Sequence, residues 1–241
     1  MSNALMGYLN SRLKEENLLS KNNLITTGPV ITISREVGCN GLILAKLIAS
    51  QLNNKKHNNN WQVLSKEIFH QSAMELNMES KDVRRIFKQS EKYAFDEILK
   101  AFGNKNYKSE QRIIKTVIDI IRSAAIDGYS IIVGRAGHII ASEIQNSVHI
   151  RLVAPLDYRV KTIMKNNSLN REDSILFIKK VEKERIAFRR AIHQENLHEE
   201  LFDLTINRAS FSNDDIIDII EYAMNKKGIS KMQNASFDIL N

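Results

Sequence analysis

Val30-Ile31-Thr32-Ile33-Ser34-Arg35-Glu36-Val37-Gly38-Cys39-Asn40-Gly41-Leu42-Ile43-Leu44-Ala45-Lys46-Leu47-Ile48-Ala49 decides the fold of this 241-residue chain. Val30 to Ile33 is apolar and β-branched, the composition of a parallel strand covered on both faces. Gly38 and Gly41 bracket a turn in which successive backbone N–H groups can converge on one concavity. Leu44, Leu47 and Ile48 recur at helical spacing and predict a helix packed on the sheet. The N-terminus of that helix points its positive dipole end at the same concavity. Strand, glycine turn and helix together make the build of a phosphate-binding loop. The common form of such loops, G-x-x-x-x-G-K-[ST], is not met, because no Lys follows the second glycine. On this stretch alone an ordinary strand-to-helix turn with two convenient glycines reads equally well.

Working outward, strands alternate with helices. Leu5 to Asn23 reads as a helical or loose extension, and Met1 to Ala4 has the composition of a tag remnant. Gly28-Pro29 punctuates the entry to the first strand. Asn53 to Asn60 is a polar loop, Trp61 to Leu64 a short strand, and Ser65 an N-cap for the next helix. Glu67 to Ala101 is helical, broken near Asn77 to Ser80. Ser109 to Ile126 is an amphipathic helix with Ile113, Ile114, Val117, Ile118 and Ile121 on its apolar face. Tyr129 to Arg135, Val148 to Ala154 and Phe202 to Asn207 read as strands. Leu156 to Lys165, Arg171 to Ala191 and Asp214 to Lys226 read as helices. Such alternation predicts a parallel sheet covered on both faces.

Net charge is +7 and the pI about 9.4, which suits a polyanionic partner without choosing between nucleotide and nucleic acid. No interleaving of aromatic and basic residues of the RNA-reading type is present, which sets a nucleic-acid binder behind a nucleotide binder. Cys39 is the single cysteine, so no disulfide can form within the chain. With no secretory signal in the sequence, a reducing, cytoplasmic setting is expected. No apolar run approaches the ~18 residues of a membrane span. A helix N-terminus could activate the Cys39 thiol, but a small loop-filling residue is the plainer reading.

Two further constellations carry chemistry. Val133-Gly134-Arg135-Ala136-Gly137-His138 ends a strand, the edge at which open α/β sheets bind ligands. Arg135 offers a planar fork that matches phosphate. His138 reads as a packing or capping residue rather than a base. In Lys183-Glu184-Arg185-Ile186-Ala187-Phe188-Arg189-Arg190, Arg185 and Arg189 stand four apart on one helix face and can clamp a phosphate. A solvated basic helix has the same composition. His193 and His198 lack zinc-site spacing, and no metal-ligating set is expected. Met74 and Met78, near Phe69, read as core.

Together these residues resemble the cytidylate kinase-like family, from about Val30 to Lys226. The first strand and loop are similar to the family's I-T-I-S-R-E-[YF]-G-S-G-G-R-x-I-A. Ile131-Ile132-Val133-Gly134-Arg135 resembles its second signature, and Ala154-Pro155-Leu156-Asp157-Tyr158-Arg159 the strand-to-helix passage after it. Lys183-Glu184-Arg185 with the downstream arginines resembles the lid. Phe202-Asp203-Leu204-Thr205-Ile206-Asn207 resembles the closing Y-D-L-x-I-N strand.

The resemblance implies a P-loop NTPase-like three-layer α/β sandwich with a parallel sheet. The domain would occupy residues 28–228, between an extension at 1–27 and a tail at 229–241. A helical insertion that binds the monophosphate would lie at about 67–109 and a helical lid at about 166–195. The implied activity is transfer of the ATP γ-phosphoryl group to CMP or dCMP with Mg²⁺. Carried over by position, Ser34, Gly38, Cys39, Asn40, Gly41 and Leu42 would hold the donor phosphates. Lys66, Gly134 and Arg135 would hold the acceptor, and Arg185 with Arg189 or Arg190 would close over the transferring group.

The departures concern charge. In orthodox cytidylate kinases the loop Lys falls at the position of Gly41 and the metal-linked Ser/Thr at that of Ile43. This subfamily lacks that Lys and often has Arg after the second glycine, where this chain has Leu42. Ser65 stands where Asp is often found. Phosphoryl transfer is mostly positioning and charge stabilisation, so a lost cation matters. Arg35 is the candidate substitute. The second functional reading is a catalytically weak or inactive nucleotide-binding protein with a regulatory role.

Overall fold

The structure is a computed structural model and describes residues 29–54, 60–65, 110–192 and 200–229. The N-terminal extension, Lys66, the helical insertion, Met74, Met78, His193, His198 and the tail beyond residue 229 lie outside the described residues.

Five strands form one parallel sheet in the order β2-β3-β1-β4-β5. They are β1 (Val30–Arg35), β2 (Gln62–Leu64), β3 (Ser130–Val133), β4 (Ser147–Val153) and β5 (Leu204–Asn207). The described helices are α1 (Gly41–Asn54), α2 (Glu110–Asp127), α3 (Gly137–Ile140), α4 (Leu156–Asn167), α5 (Arg171–Ile192) and α6 (Asn213–Lys226). Helices on both faces make this a three-layer α/β sandwich of P-loop kinase-like type. β1 is central, paired to β3 with Ile31 opposite Ile131 and to β4 with Ile33 opposite Ile150. The carboxyl ends of β1 and β3 thus lie side by side, and each feeds a glycine turn.

Alternation along β1 builds the two core layers. Ile31 and Ile33 pack with Leu44, Ile48 and Leu52 of α1 and Ile216 and Ile220 of α6. Val30 packs on the opposite face with Val117 and Ile121 of α2, and Phe188 of α5 reaches the same cluster. The expectation that Leu47 would join the α1 core face is corrected. Leu47 and Ile43 are exposed, and the buried stripe runs through Leu44, Ala45, Ile48, Ala49 and Leu52. At ~100° per residue the five buried positions centre on the line through Ile48 and Leu52, and Leu47 falls well beyond the edge of that stripe although it is only three residues from Leu44.

A third, smaller cluster joins Val37 of the loop to Val160 and Ile163 of α4 and Ile178 of α5. Tyr129 takes a left-handed backbone (φ 48°), so β3 begins one residue later than its composition predicts. A capping box between Ser212 and Asp215 starts α6. No helix among the described residues is long and apolar enough to cross a membrane.

Candidate functional site

After β1 the chain bends through Gly38 (φ 94°) and Asn40 (φ 51°) before α1 begins at Gly41. Left-handed residues set between ordinary ones turn consecutive amides toward one side, the geometry of an anion nest. Within this loop Glu36 N–H donates to the Leu152 carbonyl and Cys39 N–H to the Glu36 carbonyl. The amides of Gly38, Asn40, Gly41 and Leu42 have no hydrogen-bond partner among the described residues. These four belong to the loop and the first turn of α1, where orphan donors and the helix dipole favour a negative group.

Cys39 is turned the other way. Its thiol is fully buried in the core, and burial, with Glu36, pushes it up to about 11. Activation by the helix N-terminus is therefore not what this loop does to Cys39.

The turn after β3 is more strained. Gly134 (φ 76°), Arg135 (φ 57°) and Ala136 (φ 54°) are left-handed in succession. Two of the three carry a Cβ, at a cost of ~1 kcal/mol or more each. Such strain persists only where the surroundings over-determine it. Its result is that Arg135 lines a cavity instead of continuing the strand. The short helix α3 starts immediately afterwards, unannounced by the sequence.

That cavity has a volume of about 40 Å³. One water needs ~10–15 Å³ of such space, so a small polyatomic group fits. Arg35, Arg135, Arg185 and Arg189 line it together with Ser34, His138 and Phe188. Three of the guanidinium groups share one electrostatic situation. Burial lowers the proton affinity of Arg35, and the charges of Arg185 and Arg135 lower it further. Burial and then Arg185 lower Arg135 to about 9. Burial lowers Arg185 to about 10. All remain cations at neutral pH, so the cavity concentrates positive charge that an anion would relieve.

Arg189 is held by a carboxylate at the cavity edge. Its Nε lies 2.6 Å from Glu200 Oε1, and Arg151 Nη1 lies 3.6 Å from Glu200 Oε2. Arg190 faces solvent and is absent from the cavity wall.

Arg35 links the cavity to the loop. A Cβ added at Gly41 would stand 3.1 Å from Arg35 Cγ, and one added at Gly134 would overlap Arg35 Nη1. The Arg35 stem therefore crosses the start of α1, and its guanidinium reaches the turn after β3. The guanidinium has no hydrogen-bonding or ion-pair partner among the described residues. Arg185 Nη1 donates to the Arg35 carbonyl at 2.8 Å, holding α5 against the end of β1. The sequence motifs thus place Ser34, Gly134, Arg135, Arg185 and Arg189 at one cavity. Gly38, Asn40, Gly41 and Leu42 form the adjoining loop.

Residues to which the sequence motifs gave no role support this arrangement. Glu36 accepts from Ala154 N–H at 3.0 Å and faces Arg159 Nε at 3.4 Å. Glu182 receives Arg159 Nη1 at 2.5 Å and Val37 N–H at 3.4 Å. Gly38 is packed so closely on α4 that a Cβ would meet the Arg159 carbonyl oxygen at 2.7 Å.

His138 is 6% exposed and stacks on Phe202, ring centres 4.6 Å apart. Glu200 Oε1 lies 3.7 Å from His138 Nε2, but that oxygen is committed to Arg189. Burial, and then the charge of Arg189, hold His138 down at about 3. An unfolded histidine titrates near ~6.5, so between these values the unfolded chain carries the extra proton. Stability is then full above pH ~6.5 and falls as the pH drops. Urea unfolding of the protein is expected to lose about 2 kcal/mol from this group between pH 7 and pH 5. His138→Phe keeps the stacking and should remove that loss; an unchanged pH slope in the variant would contradict the assignment.

The layered fold, with the glycine turns and the arginine-lined cavity at the carboxyl edge of its sheet, is that of an α/β protein of nucleotide kinase-like type. The chain belongs to the cytidylate kinase-like family, whose sequence model matches residues 30–210. A crystal structure of an uncharacterized protein from Eubacterium ventriosum ATCC 27560 shares the fold with a TM-score of 0.57. It is 22% identical, and the match covers 82% of this chain and 98% of that one. No curated protein matches the chain.

Proposed function

We propose that this protein is an ATP-dependent nucleoside monophosphate kinase, nominally acting on CMP or dCMP. The observation that carries the reading is the position of Arg35, whose stem lies on the helix start and whose guanidinium lies at the second turn. The donor triphosphate would rest on the amides of Gly38, Asn40, Gly41 and Leu42. The acceptor phosphate would enter the cavity against Gly134 and Arg135, with Arg185 and Arg189 beside it. An acceptor phosphate oxygen attacks the γ-phosphorus as its bond to the β-γ bridging oxygen breaks, and ADP departs. Amides, helix dipole and guanidinium groups stabilise the charge on the transferring group. Arg35 stands at the junction and supplies the cation that the loop Lys supplies elsewhere.

The loop amides fit the phosphates of ATP. No group of three or more His, Cys, Asp or Glu side chains that could hold a metal is present among the described residues. Mg²⁺ would therefore be carried chiefly by the nucleotide phosphates, as is common for this ion, and would neutralise their charge. The free, buried thiol of Cys39 suits a reducing cytoplasm.

The test is ADP release from ATP and Mg²⁺ in the presence of a panel of nucleoside monophosphates. Release with CMP or dCMP is expected. No ADP with any common monophosphate, while ATP still raises the melting temperature, would leave a nucleotide-binding protein without transfer activity.

A further inference from the structure

We propose that Arg159 is a positioning residue that locks the phosphate loop to α5 and so presents Arg185 to the cavity. The proposal rests on the reading of Arg185 as an anion-facing group. Arg159 stands on α4, outside the cavity wall, and is mostly buried. Its guanidinium is shared between two carboxylates from different elements. Nε lies 3.4 Å from Glu36 Oε2 of the loop, and Nη1 lies 2.5 Å from Glu182 Oε1 of α5. Nε also donates to the Ala154 carbonyl at 3.1 Å, which fixes the plane of the fork.

Glu182 stands three residues before Arg185, so the two share a face of α5. Anchoring Glu182 sets the rotation of the helix about its axis, and with it the direction of Arg185. The Glu182 carboxylate also accepts from Val37 N–H at 3.4 Å. Asn166 Nδ2 donates to Asn40 Oδ1 at 2.9 Å on the far side of the loop. Val37 itself is buried in the apolar cluster of α4 and α5. The loop and the helix that carries the arginines are therefore coupled through α4, with the Arg159 guanidinium bridging a carboxylate of each. A lysine has a single ammonium and cannot reproduce the fork.

A double-mutant cycle read by calorimetric titration with inorganic phosphate tests this. Folding of each variant is checked by its melting transition. Arg159→Lys is expected to weaken phosphate binding about tenfold, and Arg185→Met by between about tenfold and about a hundredfold, the range of one charge-assisted hydrogen bond. The double variant should bind no more weakly than Arg185→Met alone, because Arg159 acts through Arg185. Glu182→Gln, which keeps the side-chain shape, should show the same non-additivity if Arg159→Lys does not fold. Additive losses, or phosphate affinity in Arg159→Lys equal to the parent's, would overturn the proposal while leaving the cavity an anion site. A parent protein that does not bind phosphate would overturn the cavity reading itself, and the positioning role with it.

Discussion

Arg35→Met is expected to lower turnover ~10³-fold, about 4 kcal/mol of transition-state stabilisation, while the protein stays folded. Methionine keeps a stem of similar length against Gly41 and deletes the guanidinium that reaches Gly134. The removed guanidinium has no partner among the described residues, so no described carboxylate is left stranded by its loss. Relief of repulsion from Arg135 and Arg185 should even hold or raise the melting temperature in the absence of ligand. That pairing of effects, lower activity with undiminished stability, marks a residue whose strain serves ligand binding. Measured kcat in a coupled ADP assay, together with thermal melts, decides it. Parental kcat in the variant would remove Arg35 from the mechanism.

Gly38→Ala is expected to have the largest effect on stability, about 3 kcal/mol in urea unfolding. Two costs add at this position. Its φ of 94° is one that side chains rarely adopt, and the new methyl would stand 2.7 Å from the backbone oxygen of Arg159. Backbone cannot swing aside as a side-chain end can, so the loop must lift from α4. Gly228→Ala is the internal control. It has a comparable φ of 76° but nothing within 4 Å of the added atom, so it should cost only about 1 kcal/mol. Equal losses in the two variants would mean that the close approach of loop and α4 is unimportant.

The chain shows its fold in local patterns. β-branched runs ending in glycine predict β1 and β3, because a buried parallel strand must be apolar on both faces and must turn sharply at its end. The four-residue spacing of Arg185 and Arg189 puts both on the cavity side of α5, and the period of 3.6 carries Arg190 round to solvent. Other features have no local sign. Arg135 and Ala136 are not residue types that announce a left-handed backbone, so the turn that aims Arg135 could not be read from them. The clasp of Glu36, Arg159 and Glu182 joins residues up to 146 positions apart, and only the folded packing of α4 and α5 reveals it. Glu36 belongs to a recognisable Ser-Arg-Glu run, yet the run does not tell that its carboxylate ties the loop to Ala154 N–H and Arg159. Leu47 misled because apolar character at helical spacing does not say which of two adjacent stripes is covered.

The central claim is that loop amides and arginine cavity together hold the phosphates of two nucleotides, with Arg35 between them. A crystal structure of the protein with a non-hydrolysable ATP analogue and CMP tests it most directly. The account predicts donor phosphates on the amides of Gly38 to Leu42, the acceptor phosphate against Arg135 and Arg185, and the Arg35 guanidinium within hydrogen-bonding distance of both. Nucleotide bound elsewhere, or phosphates turned away from Arg35 with the loop amides unengaged, would contradict it.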